Sequence, residues 1–315
     1  VDASAIWSGT TLESRETTLR RAAFLLAGKV PTEAALKRVK ASDKALKWDL
    51  KQLMSGEGFH DFLVTAANDR LLTDGLNNGI DWQFNFRRRF PAFYAFELSL
   101  PEEMPEKFET DEYRRKPFLS QNDANREVRV ATIREPVELI AYIAENNRSY
   151  QEVVTADYTM VNQFTALAYQ ADVDFDNPIT DDNGFYNRGH LNTFKPAKNA
   201  GHIPFTNEND FDEESGEYTV TKYHEWPHSG VLTMPAWLGR YPSTDTNRNR
   251  ARARWTYYHF LGVDIEKSAP RSTDPVALAD TNNPTMNNPA CTVCHERMDP
   301  VAGAYQSFGD QGHYL

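Results

Sequence analysis

Cysteine occurs twice in this chain of 315 residues. The pair is set as Cys291-Thr292-Val293-Cys294, with His295 immediately following. No other stretch constrains the chain as strongly. Two thiols three residues apart beside an imidazole is the spacing at which both vinyl groups of a porphyrin become thioethers, with the histidine held under the iron. One covalent c-type haem is therefore the expected cofactor, attached through Cys291 and Cys294 and ligated by His295. Two other chemistries use such a pair. Structural zinc wants a second Cys or His pair at close spacing, which is missing. A thioredoxin-like dithiol opens a helix after a strand, whereas here the Asn/Pro-rich run 282–289 comes first.

Composition narrows the class further. The length allows one large domain or two ordinary ones, and 40% hydrophobic with 25% charged residues is ordinary for a globular protein. A net charge of -11 argues against nucleic acid as a partner, because phosphate binding needs a basic face. Such acidity suits docking on a basic patch of a redox partner. No apolar run reaches the roughly 18 to 20 residues a transmembrane helix needs. Haem is normally attached outside the cytoplasm, so the expected location is periplasmic or extracellular. The chain is read as a mature form whose export signal has been removed.

Hydrophobic periodicity places helices over 14–29, 32–40, 43–55 and 58–72, with Ser14, Thr32 and Ser42 or Asp43 as caps and Gly28 and Gly56 as stops. The aromatic run that includes Trp82, Phe84, Phe86, Phe90, Phe93, Tyr94 and Phe96 reads as packing, and the triplet Arg87-Arg88-Arg89 as a solvated face. A long helix is expected over 122–146, with Pro136 inside it. A pair of helices meeting at Asp157 is expected over 150–170. Residues 171–223, dense in Asp, Asn, Gly and Pro, read as a long surface excursion. Within it, Asp172, Asp174 and Asp176 open like a calcium loop, but Asn177 and Asn183 stand where Gly and Glu belong, so a solvated acidic loop is the competing reading.

Three segments together resemble the planctomycete-type cytochrome c family, a group of uncharacterised domains found in large exported haem proteins. The first is Thr155-Ala156-Asp157-Tyr158-Thr159. The second runs from Gly230-Val231-Leu232-Thr233 to Arg252-Ala253-Arg254-Trp255 and Leu261-Gly262. The third is Cys291-x-x-Cys294-His295-x-x-Met298-Asp299-Pro300, followed by Phe308 and Gly312-His313-Tyr314. The segments span most of residues 150–315. The long loop from Ala171 looks like an insertion, and the chain stops at Leu315, where many relatives continue into a further domain.

After His295 only 20 residues follow, so a second axial ligand is expected from upstream. Met234, flanked by Thr233 and Pro235 in a segment the resemblance places in the haem region, is the expected ligand of iron. His228 and His224 come next, and His259 and Met286 are the remaining candidates. Met298 lies on the proximal side with His295. Arg248, Arg250, Arg252 and Arg254 precede an aromatic helix and are suited to haem propionates. Residues two apart point to different sides of a helix, so Arg252 and Arg248, four apart, are the favoured pair. Trp237, Trp255, Tyr305 and Phe308 are the expected apolar wall.

These readings give a mostly α protein: a helical bundle or array with a C-terminal cytochrome c-like haem domain and a long irregular insertion. The expected parts are an N-terminal helical region 1–118, a helical segment 119–170 packing on the haem domain, an acidic insertion 171–223 and a haem-binding region 224–315. The expected function is electron transfer by an exported single-haem cytochrome, working with a redox partner protein, within a larger complex or by self-assembly. Its rivals are a peroxidase-like enzyme with an open distal site and a module in which haem only staples the fold.

Overall fold

Serine and threonine hydroxyls start the first helices. In a computed structural model, Ser14 Oγ accepts from the Thr17 amide, Thr32 Oγ1 from Ala35 and Ser42 Oγ from Ala45, at 3.2 Å each. They open α1 (Arg15–Ala27), α2 (Glu33–Ala41) and α3 (Asp43–Leu53). Each hydroxyl satisfies an amide that has no partner inside its helix. Gly28 ends α1 in the left-handed conformation at φ 58°, so the expected stop signal acts as one. The residues described are 8–76, 90–106, 109, 116–187, 191–200, 203–204, 211–212, 214–215, 217–218, 223–224, 226–309, 312 and 314. Trp82, Phe84, Phe86, Arg87, Arg88 and Arg89 lie outside them.

The chain divides into two compact units, so the expected N-terminal region 1–118 is shared between them. One comprises Val1–Asp69 with Ile140–Arg148, the other Arg70–Leu139 with Ser149–Leu315. In the first, α1, α2 and α3 pack on one another around Leu19, Ala23, Leu36, Val39 and Leu53. Arg38 grips Asp49 with two hydrogen bonds and lies over the Trp48 ring, tying α2 to α3. The fourth expected helix is α4 (Glu57–Leu71).

The second unit holds α5 (Pro91–Leu98) and the long α6 (Gln121–Glu145), whose residues from Ile140 count with the first unit. Pro136 stands inside α6, as expected. Phe90 and Phe93 are buried, as packing residues should be. The expected helix pair over 150–170 is corrected. A single turn, α7 (Glu152–Thr155), is followed by strand β1 (Thr159–Val161) and then by α8 (Gln163–Ala168), which Asn162 opens through a capping box. The strand forms because its partner, β2 (Lys195–Ala197), comes back from far along the chain, pairing Met160 with Pro196. Local periodicity carries no information about such a partner. The excursion 171–223 therefore contributes structure. It also holds β4 (Phe211–Asp212) and β5 (Glu217–Tyr218) as one ribbon, and β3 (Ile203–Pro204), which pairs with β6 (Tyr223–His224).

Beyond the strands come α9 (Pro235–Arg240), α10 (Arg250–Leu261), α11 (Pro275–Ala279), α12 (Pro284–Asn287) and α13 (Pro289–Ala304). α10 and α12 both pack on α13. The described residues are mostly helical, as the sequence indicated. No helix among them is long and apolar enough to cross a membrane.

Candidate functional site

The helix that carries the two cysteines is started by its own sequence. Asn288 Oδ1 accepts from the Ala290 amide at 3.0 Å, and Pro289 occupies the first helical position, where its missing N–H costs nothing. The Asn288 side chain is itself held by Asp280, 3.1 Å away. With the helix begun there, Cys291, Cys294, His295 and Met298 fall at i, i+3, i+4 and i+7. They form one stripe, and all four line one cavity of about 510 Å³. This size falls within the range of cofactor and small-molecule sites. Both thiols are free and partly buried. Across the cavity stand Trp255 of α10 and the segment from Ile265 to Ser272, with Ile265 fully buried.

His295 is held from behind. Its Nδ1 lies 3.0 Å from Asp299 Oδ1, one turn on along α13. Asp299 in turn receives two bonds from Arg250 of α10, Nε to Oδ1 at 2.8 Å and Nη2 to Oδ2 at 3.0 Å. Burial alone would raise the Asp299 carboxyl, but the hydrogen bonds from Arg250 and His295 outweigh it and hold it below the usual aspartate range. An ionised carboxylate can only accept. Nδ1 therefore donates its proton to Asp299, and Nε2 has no hydrogen-bond partner among the described residues.

The four arginines sort differently from the expectation. Arg252 and Arg248, the favoured pair, do not line the cavity, whereas Arg250 and Arg254 do. The i, i+4 logic holds with its phase shifted by two. Arg248 sits before the helix at φ 48° and bonds the Asp245 carbonyl. Arg252 is fully buried, and its N–H groups bond Tyr241 O, Leu238 O, Phe308 O, Gly309 O and Asn249 Oδ1. It is a strut that joins α9, α10 and the segment after α13. Arg254 makes two bonds to Asp264 and an ion pair with Glu266, which also pairs with Arg271 on the cavity rim.

Trp255 lines the cavity and stacks on Tyr241 with centroids 5.2 Å apart. Trp237 does not line it; it is buried edge-on to Tyr241 at 4.7 Å and to His259 at 5.6 Å. Met234 is also buried elsewhere, where it opens α9, with Pro235 at the first helical position. Its expected meeting with the cysteine cavity is not made: Met234 is buried together with Ala236, Trp237 and Leu238 at the start of α9. His228 Nε2 accepts from the Asn199 amide at 2.9 Å, and burial, helped by Lys198, pushes its pKa down to about 4. His259 Nε2 lies 2.9 Å from the Tyr241 hydroxyl; burial, then Arg70 and Arg240, lowers it likewise to about 4. Met286 is exposed, and His224 ends β6. Met234, His228, His259 and Met286 do not line the cavity.

The stripe explains what the sequence reading passed over. Asp299 stood in the motif without a role, yet its position four beyond His295 already put both on one side of a helix. The objection to a dithiol also weakens, because Cys291 does stand in the first turn of α13. Asp172, Asp174 and Asp176 are exposed. Among the described residues no three His, Cys, Asp or Glu side chains converge as a group able to hold a metal ion.

Residues 228–315 match the model of a family described as PSCyt3, "Protein of unknown function (DUF1588)". The match takes in the second and third segments of the resemblance and leaves the first, around Asp157, outside. No curated protein and no solved structure matches the chain.

Proposed function

We propose that the chain is a single-haem c-type cytochrome, exported from the cytoplasm, that passes electrons to or from a partner protein. One observation carries the reading. Cys291, Cys294 and His295 open on the same cavity of about 510 Å³, and His295 offers Nε2 there because Asp299 occupies Nδ1. The donor set suits haem: two free thiols at thioether spacing and one imidazole whose Nδ1 is taken up by Asp299. When bound, haem supplies a one-electron ferric/ferrous couple. The protein's own residues attach it, orient the imidazole and wall it with Trp255 and Ile265. Arg254 and Arg271 stand at the rim for its propionates, although each is already matched by Asp264 or Glu266. A family whose name points to a cytochrome supports the same reading.

A second reading has its own support. The only Met or His side chains lining the cavity, among the described residues, are His295 and Met298, neighbours on one helix. Neither Met234 nor His228 is in place to be a sixth ligand. An open axial position, able to take a small ligand, fits that lining and keeps the peroxidase-like alternative alive.

The test is to secrete the chain behind a supplied signal peptide in a host that matures c-type cytochromes. One haem per chain that survives denaturing electrophoresis is expected. A haem-free product would end the reading. Added cyanide then separates the two versions: a spectral change marks an open position, and none marks a carrier with both axial sites filled.

A further inference from the structure

We propose that Asp299, clamped by Arg250, is a positioning residue that sets the donor strength of His295 toward a bound metal centre, and so lowers the potential of the site. The inference rests on the haem reading above, with His295 as the axial ligand.

The geometry carries it. Asp299 Oδ1 is shared: it lies 3.0 Å from His295 Nδ1 and accepts Arg250 Nε at 2.8 Å, while Oδ2 takes Arg250 Nη2 at 3.0 Å. The clamp fixes the carboxylate in the plane of a guanidinium fork, so it cannot swing away from the imidazole. Side-chain exposures of 25% for Arg250, 33% for Asp299 and 20% for His295 leave the triad half-sheltered, where such bonds hold their geometry. A ligand histidine whose second nitrogen gives its proton to a carboxylate is a stronger donor than one bonded to a neutral group. Stronger donation, and a fixed negative charge one helical turn away, both favour the ferric state over the ferrous. Reduction adds one electron from an external carrier and moves no proton at Nδ1, so the carboxylate acts on the couple without being consumed.

Arg250 has the opposite sign. It draws on the same oxygen that His295 uses, and thus tempers the carboxylate. Releasing it should strengthen the Asp299–His295 bond. A purely structural role, in which the ion pair merely joins α10 to α13, predicts that both variants destabilise the fold and neither moves the couple.

The experiment uses the full chain carrying covalent haem, with dithionite as the reductant in a mediated titration. Asp299→Asn is expected to shift the ferric/ferrous equilibrium about tenfold toward ferrous, equivalent to about 59 mV for one electron. Arg250→Gln is expected to shift it the other way. In the carbon monoxide adduct of the ferrous protein, the Nδ1 proton of His295 should move upfield in Asp299→Asn and downfield in Arg250→Gln. Unchanged potentials and proton shifts in a chain that does carry haem overturn this inference alone. A wild-type chain without covalent haem overturns it together with the proposed function.

Discussion

Asn249 and Tyr305 meet across the core of the C-terminal region: Asn249 Nδ2 donates to the Tyr305 carbonyl at 3.2 Å while Asn249 Oδ1 accepts from Arg252 at 2.7 Å. This buried asparagine, held at φ 66°, starts α10 and at the same time ties it to the end of α13. The site helix is thereby set against α10 from behind, with Arg250 delivered to Asp299 on the same face.

Arg252 completes that joint, and its loss should be costly. Four backbone carbonyls accept from its guanidinium, and the side chain is fully buried. Arg252→Lys keeps the charge but has fewer, differently directed donors. A loss of about 3 kcal/mol is expected, from two or more buried acceptors left unmade. Denaturant unfolding followed by fluorescence of Trp237 and Trp255 measures it; a loss under 1 kcal/mol would contradict the strut role.

The cysteines should act separately. Cys291→Ala and Cys294→Ala are each expected to retain haem through one thioether, with a pyridine haemochrome band displaced from that of the wild type. The double variant is expected to lose covalent haem altogether. Staining denatured protein for haem reads the result, and retention in the double variant would show that the thiols are not the attachment points.

Gly230 ties the second segment of the resemblance to the first. It lies at φ 51°, its amide bonds Ala156 O at 2.8 Å, and a Cβ there would stand 2.6 Å from the carbonyl carbon of Val153. Gly230→Ala combines left-handed strain with overlap against backbone that cannot yield. A destabilisation of roughly 3 kcal/mol is expected in thermal or denaturant melts. An alanine variant as stable as the wild type would mean that this contact is not formed.

Stability should fall on both sides of neutrality. Burial pushes Glu135 up to about 8, against bonds from Tyr169 at 2.8 Å and Thr159 at 3.1 Å that favour its charge. The folded state therefore holds a proton that the unfolded state has released, and stability declines as pH rises from about 4.5 to about 8. His228 and His259, both lowered to about 4, act in the other direction: stability is lost as pH falls from about 6.5 toward 4. Above pH 6.5 only the glutamic acid contributes, by roughly 2 kcal/mol up to pH 8. Glu135→Gln is expected to flatten that alkaline limb and, between about pH 4.5 and 6.5 where the two effects oppose each other, to steepen the acid limb. A variant with the same alkaline decline would remove Glu135 as its cause.

Sequence alone determined whatever depends on short-range chemistry. The hydroxyl caps at Ser14, Thr32 and Ser42, the stop at Gly28, the long helix through Pro136 and the mostly helical class all follow from local rules, since each helix closes its hydrogen bonds within itself. The Cys291-x-x-Cys294-His295 spacing was equally legible, and so, with hindsight of helix period, was Asp299 on the same side. Tertiary structure decided the rest. It turned Thr159–Val161 into a strand by bringing Lys195–Ala197 beside it, a pairing that no local pattern encodes. It sent Met234 and Trp237 into the core, buried Arg252 among carbonyls, and turned Arg250 and Arg254 to the cavity, because the left-handed residues Arg248 and Asn249 set where α10 begins and hence which of its faces meets α13. A spacing states which side chains share a face; only the packing of one helix on another states what that face looks upon.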